Sequence, residues 1–441
     1  MGGGAAPDVA RAEERADQEE GQQQEEEAAE CDRASRAFPC RGRPPEEIAD
    51  RAQEGLTLIE VATATRRISW VVKASKLCNL RCRYCYEWND LAKRDRIALD
   101  QWRSLLVAIR TYHEAITQRS KVATETDIVW HGGEPLLLPS DYIAAVMALE
   151  REILGEGLRR GQYRNFLQTN LYSVQEEKLQ LLARERIELG VSMDVVGGVR
   201  LSAGGEETED QVARNIDLLT KHGTDFGAIV VLAGHTGPHV TEIYDFYEKL
   251  GVGVRFLPLF DSPLNQAGAS FAATYPQMLE ALEALFVHWI DRPRHTRVSP
   301  LHEYLETILL RMLGRSRPRY DRRANGEYVL LVNTDGSLYE RADAYDHMKM
   351  LGNVFEQSMD EIISSPNYRA SLERDEALAA RYCGSCEFLG ACDTSPLFES
   401  PRRDIGEVRC HVAYPLYRFI DAYVHERRYT PADVQRILTF A

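Results

Sequence analysis

From about residue 66 the chain alternates short runs of β-branched and other apolar residues with longer stretches whose apolar positions recur at helical spacing. Six runs read as strands: Ile68–Ala74, Thr126–Trp130, Asn165–Thr169, Glu188–Ser192, Gly227–Ala233 and Gly253–Leu259. Each is short, rich in Val, Ile, Leu or aromatic residues, and followed by polar or turn residues. Helical patterns fill the gaps around Asp100–Thr117, Ser140–Ile153, Glu209–His222 and His239–Leu250. Strands separated by crossover helices predict a parallel sheet, because parallel neighbours cannot be joined by a tight turn. The unusual residues fall just after these strands, which is where a barrel or partial barrel carries its site. Beyond residue 265 the pattern is helical and becomes Arg-rich, with nine Arg against three acidic residues between Arg292 and Arg323. A hairpin is expected from Glu327–Asn333 and Ser337–Glu340, turned by Thr334-Asp-Gly336.

With 441 residues and 44% hydrophobic content the chain can bury a substantial core. Its net charge of −15 is partly local: residues 1–30 hold ten acidic side chains against two Arg. That segment has little apolar surface to bury, so residues 1–44 are expected to be disordered. No run of eighteen apolar residues and no basic-then-apolar leader occurs, so a cytoplasmic protein is expected, with neither membrane nor nucleic acid as partner. Seven of the nine Cys fall in two clusters, which in a reducing compartment points to metal or catalysis rather than disulfides. Cys31 and Cys40 are expected to be thiols without a role.

The first cluster is Cys78, Cys82 and Cys85, in the run Lys76-Leu-Cys-Asn-Leu-Arg-Cys-Arg-Tyr-Cys-Tyr86. Zinc favours a closed set of four ligands, and no His or fourth Cys lies nearby. Three thiolates on a four-iron cluster leave one iron open to a substrate or cofactor. This CxxxCxxC motif resembles that of the radical S-adenosylmethionine (SAM) enzymes. The resemblance implies a partial (β/α)6 barrel, a [4Fe–4S] cluster on Cys78, Cys82 and Cys85, and reductive cleavage of SAM to a 5′-deoxyadenosyl radical that abstracts hydrogen. It also implies SAM contacts from Gly132, Gly133 and Glu134, which match the family's GGE motif, and from Asn170 and Ser192 at two strand ends. Asp194 is a candidate for either SAM or substrate.

The second cluster, Cys383, Cys386, Cys392 and Cys410, lies downstream of Gly352-Asn353 and resembles the SPASM extension of peptide-modifying members. That extension normally carries two auxiliary clusters. Here Arg341 and Pro396 stand where Cys is expected, and the four thiols that remain are the full set for one auxiliary [4Fe–4S] cluster. A four-thiolate zinc site is the competing reading. The expected domains are residues 1–44, the barrel at 45–265, a helical Arg-rich bridge at 266–325, and a SPASM-like domain with a C-terminal helix at 326–441. Asp194 and Glu340 are the candidate catalytic carboxylates, with Asp335 and Asp343 also placed near the mouth. The resemblance implies an oxidoreductase that modifies a ribosomally made precursor peptide, with a side-chain crosslink as the leading expectation. Oxidation of a Cys or Ser in the manner of sulfatase maturases, or action on a small metabolite, is the alternative. An electron donor such as flavodoxin or ferredoxin, and a separate leader-recognition protein, are the further partners expected.

Overall fold

The computed structural model describes residues 66–259, 269–292, 296–316, 329–340, 349–392 and 410–440. The expectations for residues 1–44, Cys31, Cys40, Glu327, Arg341, Asp343 and Pro396 lie outside them. All six expected strands are present: β1 (Arg66–Ser75), β2 (Thr124–Gly132), β3 (Tyr163–Thr169), β4 (Ile187–Ser192), β5 (Phe226–Leu232) and β6 (Val254–Pro258). They pair in chain order and in parallel. The crossovers include α1 (Leu99–Ser120), α2 (Ser140–Ile153), α3 (Glu176–Arg184), α4 (Glu209–Lys221) and α5 (Val240–Leu250). Further on come α6 (Tyr275–Ile290), α7 (Leu301–Met312), α8 (Pro366–Cys383), α9 (Ala413–Glu426) and α10 (Pro431–Phe440).

The sheet is larger than the six strands. β7 (Val298–Ser299) adds in parallel to β6, and the expected hairpin, β8 (Val329–Val332) with β9 (Ser337–Glu340), docks at the other edge. β8 runs parallel to β1, and β10 (Met350–Asn353) completes a ten-stranded order β10-β9-β8-β1-β2-β3-β4-β5-β6-β7. Strand alternation divides the two faces. Ile68, Trp70 and Val72 of β1 and Ile128 and Trp130 of β2 pack outward on Trp102, Leu105 and Tyr112 of α1. Trp102 stacks on Trp130 at 4.8 Å, and Tyr112 meets Trp70 edge-on at 5.8 Å. The opposite face carries polar and half-buried side chains, among them Lys73, His131, Gln168 and Ser192. A second core forms around α5, α6, α7 and α9 and includes Cys392 and Cys410. Among the described residues no helix is long and apolar enough to cross a membrane.

One buried polar network sits on the helix side. Trp130 Nε1 donates to Asn165 Oδ1 (2.9 Å), and Asn165 Nδ2 donates to Glu150 Oε2 (2.7 Å). Glu150 is fully buried and its Oε1 has no hydrogen-bond partner among the described residues. Burial pushes its carboxyl from 4.5 up to about 7. A folded-state pKa above the unfolded one gives a contribution that is full below about 4.5 and lost as pH rises through about 7. Glu150→Gln is therefore expected to flatten the alkaline limb of stability, by roughly 3 kcal/mol between about pH 4 and pH 9, in urea melts across that range.

Candidate active site

The parallel strands end on one rim, and the chain gathers its unusual residues there. β1 runs out into the loop of Cys78, Cys82 and Cys85, which backbone bonds pin in place. Cys78 N–H donates to Leu91 O (2.9 Å), Arg81 N–H to Leu201 O (2.7 Å), Arg83 N–H to Val199 O (2.9 Å) and Cys85 N–H to Cys82 O (3.0 Å). The end of β2 closes against the same loop: Gly133 N–H donates to Ser75 O (2.7 Å) and Glu134 N–H to Leu77 O (2.8 Å). A Cβ on Gly132 would lie 2.0 Å from Ser75 O, and one on Gly133 2.2 Å from Leu77 O. Only glycine permits this approach.

Glu134 turns inward and ties β2 to β3. Its Oε1 accepts from Leu136 N–H and from the Thr169 hydroxyl, both at 2.8 Å, and its Oε2 from Asn170 N–H at 2.7 Å. Thr169 Oγ1 accepts in turn from Leu171 N–H (2.8 Å), holding Leu171 at a left-handed φ of 52°. The carboxylate is thus committed to shaping the end of β3, and the N–H groups of Gly132, Gly133 and Glu134 are spent within the chain, on His131 Nδ1, Ser75 O and Leu77 O. Asn170 lies beside the Cys loop: its Nδ2 donates to Asn79 Oδ1 (2.9 Å) and reaches Cys78 Sγ at 3.7 Å. On the neighbouring strand Ser192 Oγ accepts from Gln168 Nε2 (2.7 Å).

Asp194 is wholly enclosed. Its Oδ1 accepts from Val231 N–H (2.9 Å), its Oδ2 accepts from the Tyr84 hydroxyl, and Arg200 Nη1 stands 3.8 Å from Oδ2 while donating to the Tyr84 hydroxyl oxygen at 2.7 Å. The next residue, Val195, has φ 66°, a strained setting for a β-branched side chain. This is the geometry of a clamp joining β4, β5 and the Cys loop. Glu340 ends β9, buried and paired with Arg374 Nη2 at 3.0 Å; its Oε2 has no hydrogen-bond partner among the described residues. Asp335 accepts from Ser337 N–H (3.0 Å) and so holds the hairpin turn.

Three groups escaped sequence reasoning. Lys73, buried on the inner face of β1, pairs with Glu87 Oε1 (3.0 Å), donates to the Tyr86 hydroxyl and lies 3.3 Å from His131 Nδ1. Burial alone would lower its pKa, but Tyr86 and Glu87 outweigh that and hold the ammonium charged. A lysine inside the apolar run Trp-Val-Val-Lys-Ala was the available signal. Arg200 gave none. His235, after β5, stacks near Tyr84 (6.3 Å) and meets Phe271 edge-on (5.8 Å), and both its ring nitrogens are buried without a hydrogen-bond partner among the described residues. Such an orphaned pair at the rim suits a ligand.

The donor set fits an iron–sulfur cluster. Burial pushes the Cys78 thiol up to about 11 and the Cys85 thiol up to about 12, so metal uptake must displace protons. Leu80 N–H donates to Cys78 Sγ at 3.4 Å, a contact that favours the thiolate. Of the second Cys set, Cys392 and Cys410 are buried in one apolar cluster on which Cys386 packs, and Cys386 N–H donates to Cys383 O at 3.0 Å; four thiols are the donor chemistry of an iron–sulfur cluster.

Residues 72–247 match the radical SAM superfamily. The chain carries a radical SAM domain. The match implies the superfamily's cofactors, a [4Fe–4S] cluster and SAM. It is 26% identical over 330 residues to a serine-type anaerobic sulfatase-maturating enzyme of Klebsiella aerogenes, covering 71% of this chain and 76% of that one. It is 27% identical over 342 residues to a cysteine-type anaerobic sulfatase-maturating enzyme of Clostridium perfringens (strain 13 / Type A), covering 74% and 87%. A solved structure of native anSMEcpe with bound AdoMet and Cp18Cys peptide has the same fold, with a TM-score of 0.63 at 18% identity over 85% of this chain and 99% of that one.

Proposed function

We propose that this radical SAM enzyme oxidises a cysteine or serine side chain within a peptide or protein substrate. The observation that carries this reading is similarity, over about three quarters of the chain, to anaerobic sulfatase-maturating enzymes of both the serine and the cysteine type. That similarity favours side-chain oxidation over the crosslink that led the expectations from sequence. Cys78, Cys82 and Cys85 would hold the SAM-binding cluster, and the Gly132–Glu134 backbone, Asn170 and Ser192 would seat SAM beside it. Cluster and SAM together supply a radical able to abstract hydrogen from an unactivated carbon.

The protein's own part is placement. Gly132 and Gly133 bring backbone against the Cys loop, and Glu134 fixes Asn170 next to Cys78. The Tyr84–Asp194–Arg200 clamp holds the loop against β4 and β5. Cys383, Cys386, Cys392 and Cys410 would hold one auxiliary [4Fe–4S] cluster able to accept the second electron of a net two-electron oxidation. Three of the four described arginines of the basic run are engaged within the fold, Arg292 with Asp245, Arg297 with Glu303 and Arg311 with Glu387, while Arg315 is exposed.

The test is an anaerobic incubation of reconstituted enzyme with SAM, dithionite and short peptides carrying one Cys or Ser. The expected product forms in step with 5′-deoxyadenosine, carries a carbonyl that reacts with a hydrazide probe, and fragments normally along its backbone. A product that has lost a pair of hydrogens, ignores the probe and resists fragmentation between two residues would restore the crosslink. No peptide change while a small metabolite is consumed would reject both peptide readings.

A further inference from the structure

Tyr417 lies on α9, seven residues beyond Cys410, and is 1% exposed. Its ring is held on two sides, stacked on Phe388 at 5.0 Å and edge-on to Tyr304 at 4.5 Å. Its hydroxyl is aimed at Cys392 Sγ, 3.5 Å away. Cys392 is anchored from the other side, where its N–H donates to Phe388 O at 2.8 Å. One aromatic residue, Phe388, therefore fixes both the thiol's backbone and the ring that addresses the thiol. Arg311 lies 5.0 Å from the Phe388 ring centroid and pairs with Glu387, so this arrangement is braced from outside too.

We propose that Tyr417 sets the reduction potential of the auxiliary centre by donating a hydrogen bond to the Cys392 sulfur. The inference rests on the reading that Cys383, Cys386, Cys392 and Cys410 hold an iron–sulfur cluster. A ligating sulfur is a thiolate with no proton of its own, so in this pair the hydroxyl must be the donor. Donation withdraws charge from the sulfur and favours the reduced cluster, which carries one more negative charge; hydrogen bonds to sulfur are among the factors that set such potentials. In an apolar pocket the effect is larger than at a surface, because little else screens the added charge. Cys392 has such a neighbour in the core, and the consequence is a centre raised toward the role of electron acceptor. Tyr417 is a positioning and tuning residue here, since it touches the ligand and not the substrate.

Tyr417→Phe removes the hydroxyl and keeps the ring, so packing against Phe388 and Tyr304 is retained. The experiment is a redox titration of the reconstituted full chain followed by electron paramagnetic resonance, with iron, sulfide and zinc analysis. The wave that survives in the Cys78/Cys82/Cys85→Ala variant is the auxiliary one. The expected result is a lower auxiliary midpoint in Tyr417→Phe than in wild type, with iron content and the other wave unchanged. An unmoved auxiliary midpoint, or an equal shift of both waves, overturns the proposal while leaving the auxiliary cluster in place. Zinc, or no second wave in wild type, overturns the underlying reading and the proposal with it. If Tyr417→Phe loaded less iron, Phe388→Leu decides. It loosens the ring but keeps the hydroxyl, and a midpoint between those of wild type and Tyr417→Phe supports the proposal, whereas a wild-type midpoint overturns it.

Discussion

Cys82→Ala is expected to abolish 5′-deoxyadenosine formation, a loss of more than about a thousandfold, and to lower iron by about four per chain. The reasoning begins with ligand number. Three protein thiolates leave one iron for SAM, so the site has no spare ligand, and removing one leaves two on a cluster that needs three. The loop's own backbone bond, from Cys85 N–H to the Cys82 carbonyl at 3.0 Å, survives the change to alanine, so the loss is that of the thiolate. The second Cys set belongs to a different core, and any iron it holds should stay. Anaerobic reconstitution with iron analysis and quantified deoxyadenosine checks both halves. Undiminished deoxyadenosine from Cys82→Ala would remove this loop from the chemistry.

Lys73→Met should be nearly as damaging, although the lysine touches no Cys. It would take from the Glu87 carboxylate, 7% exposed, the ammonium that stands 3.0 Å away. Breaking one partner from a buried ion pair costs about 3–5 kcal/mol, because the remaining charge keeps its desolvation penalty. Glu87 follows Cys85 by two residues, so the cost falls on the cluster loop. The expected outcome is loss of iron from the first site, with any iron at the second site retained, together with a lower unfolding temperature. Lys73→Met combined with Glu87→Gln should recover much of that iron, since removing both charges removes the penalty. Iron content and thermal melts of the two variants decide; equal defects in both would show that lost packing, not charge, matters.

The six strands and the rim were legible because their signals are local. Period-two apolar runs, the turn residues after them and a CxxxCxxC loop all lie within a few positions of one another. The two glycines of Gly132-Gly133 were also readable as a close approach, though not what they approach. Asp194 illustrates the other case. A carboxylate after a strand looks available for chemistry, yet Tyr84 and Arg200, which surround it, are 110 and six residues away in the chain. Lys73 left a faint mark as a charge in an apolar run, but its partner Glu87 could not be named from spacing.

By itself the sequence determined the parallel α/β class, the three-thiol loop after β1, the second four-thiol set and the hairpin turned by Thr334-Asp-Gly336. Tertiary structure alone decided that β8 pairs in parallel with β1, extending one sheet to ten strands. It also decided that Glu134 is spent on β3, that Asp194 is a clamp, and that α9 brings the Tyr417 hydroxyl to Cys392. The physical reason is common to all four. Propensity and periodicity act over a few residues, whereas the choice of strand neighbour and the partner of a buried polar group are set by which distant surfaces can be desolvated together with every hydrogen bond satisfied.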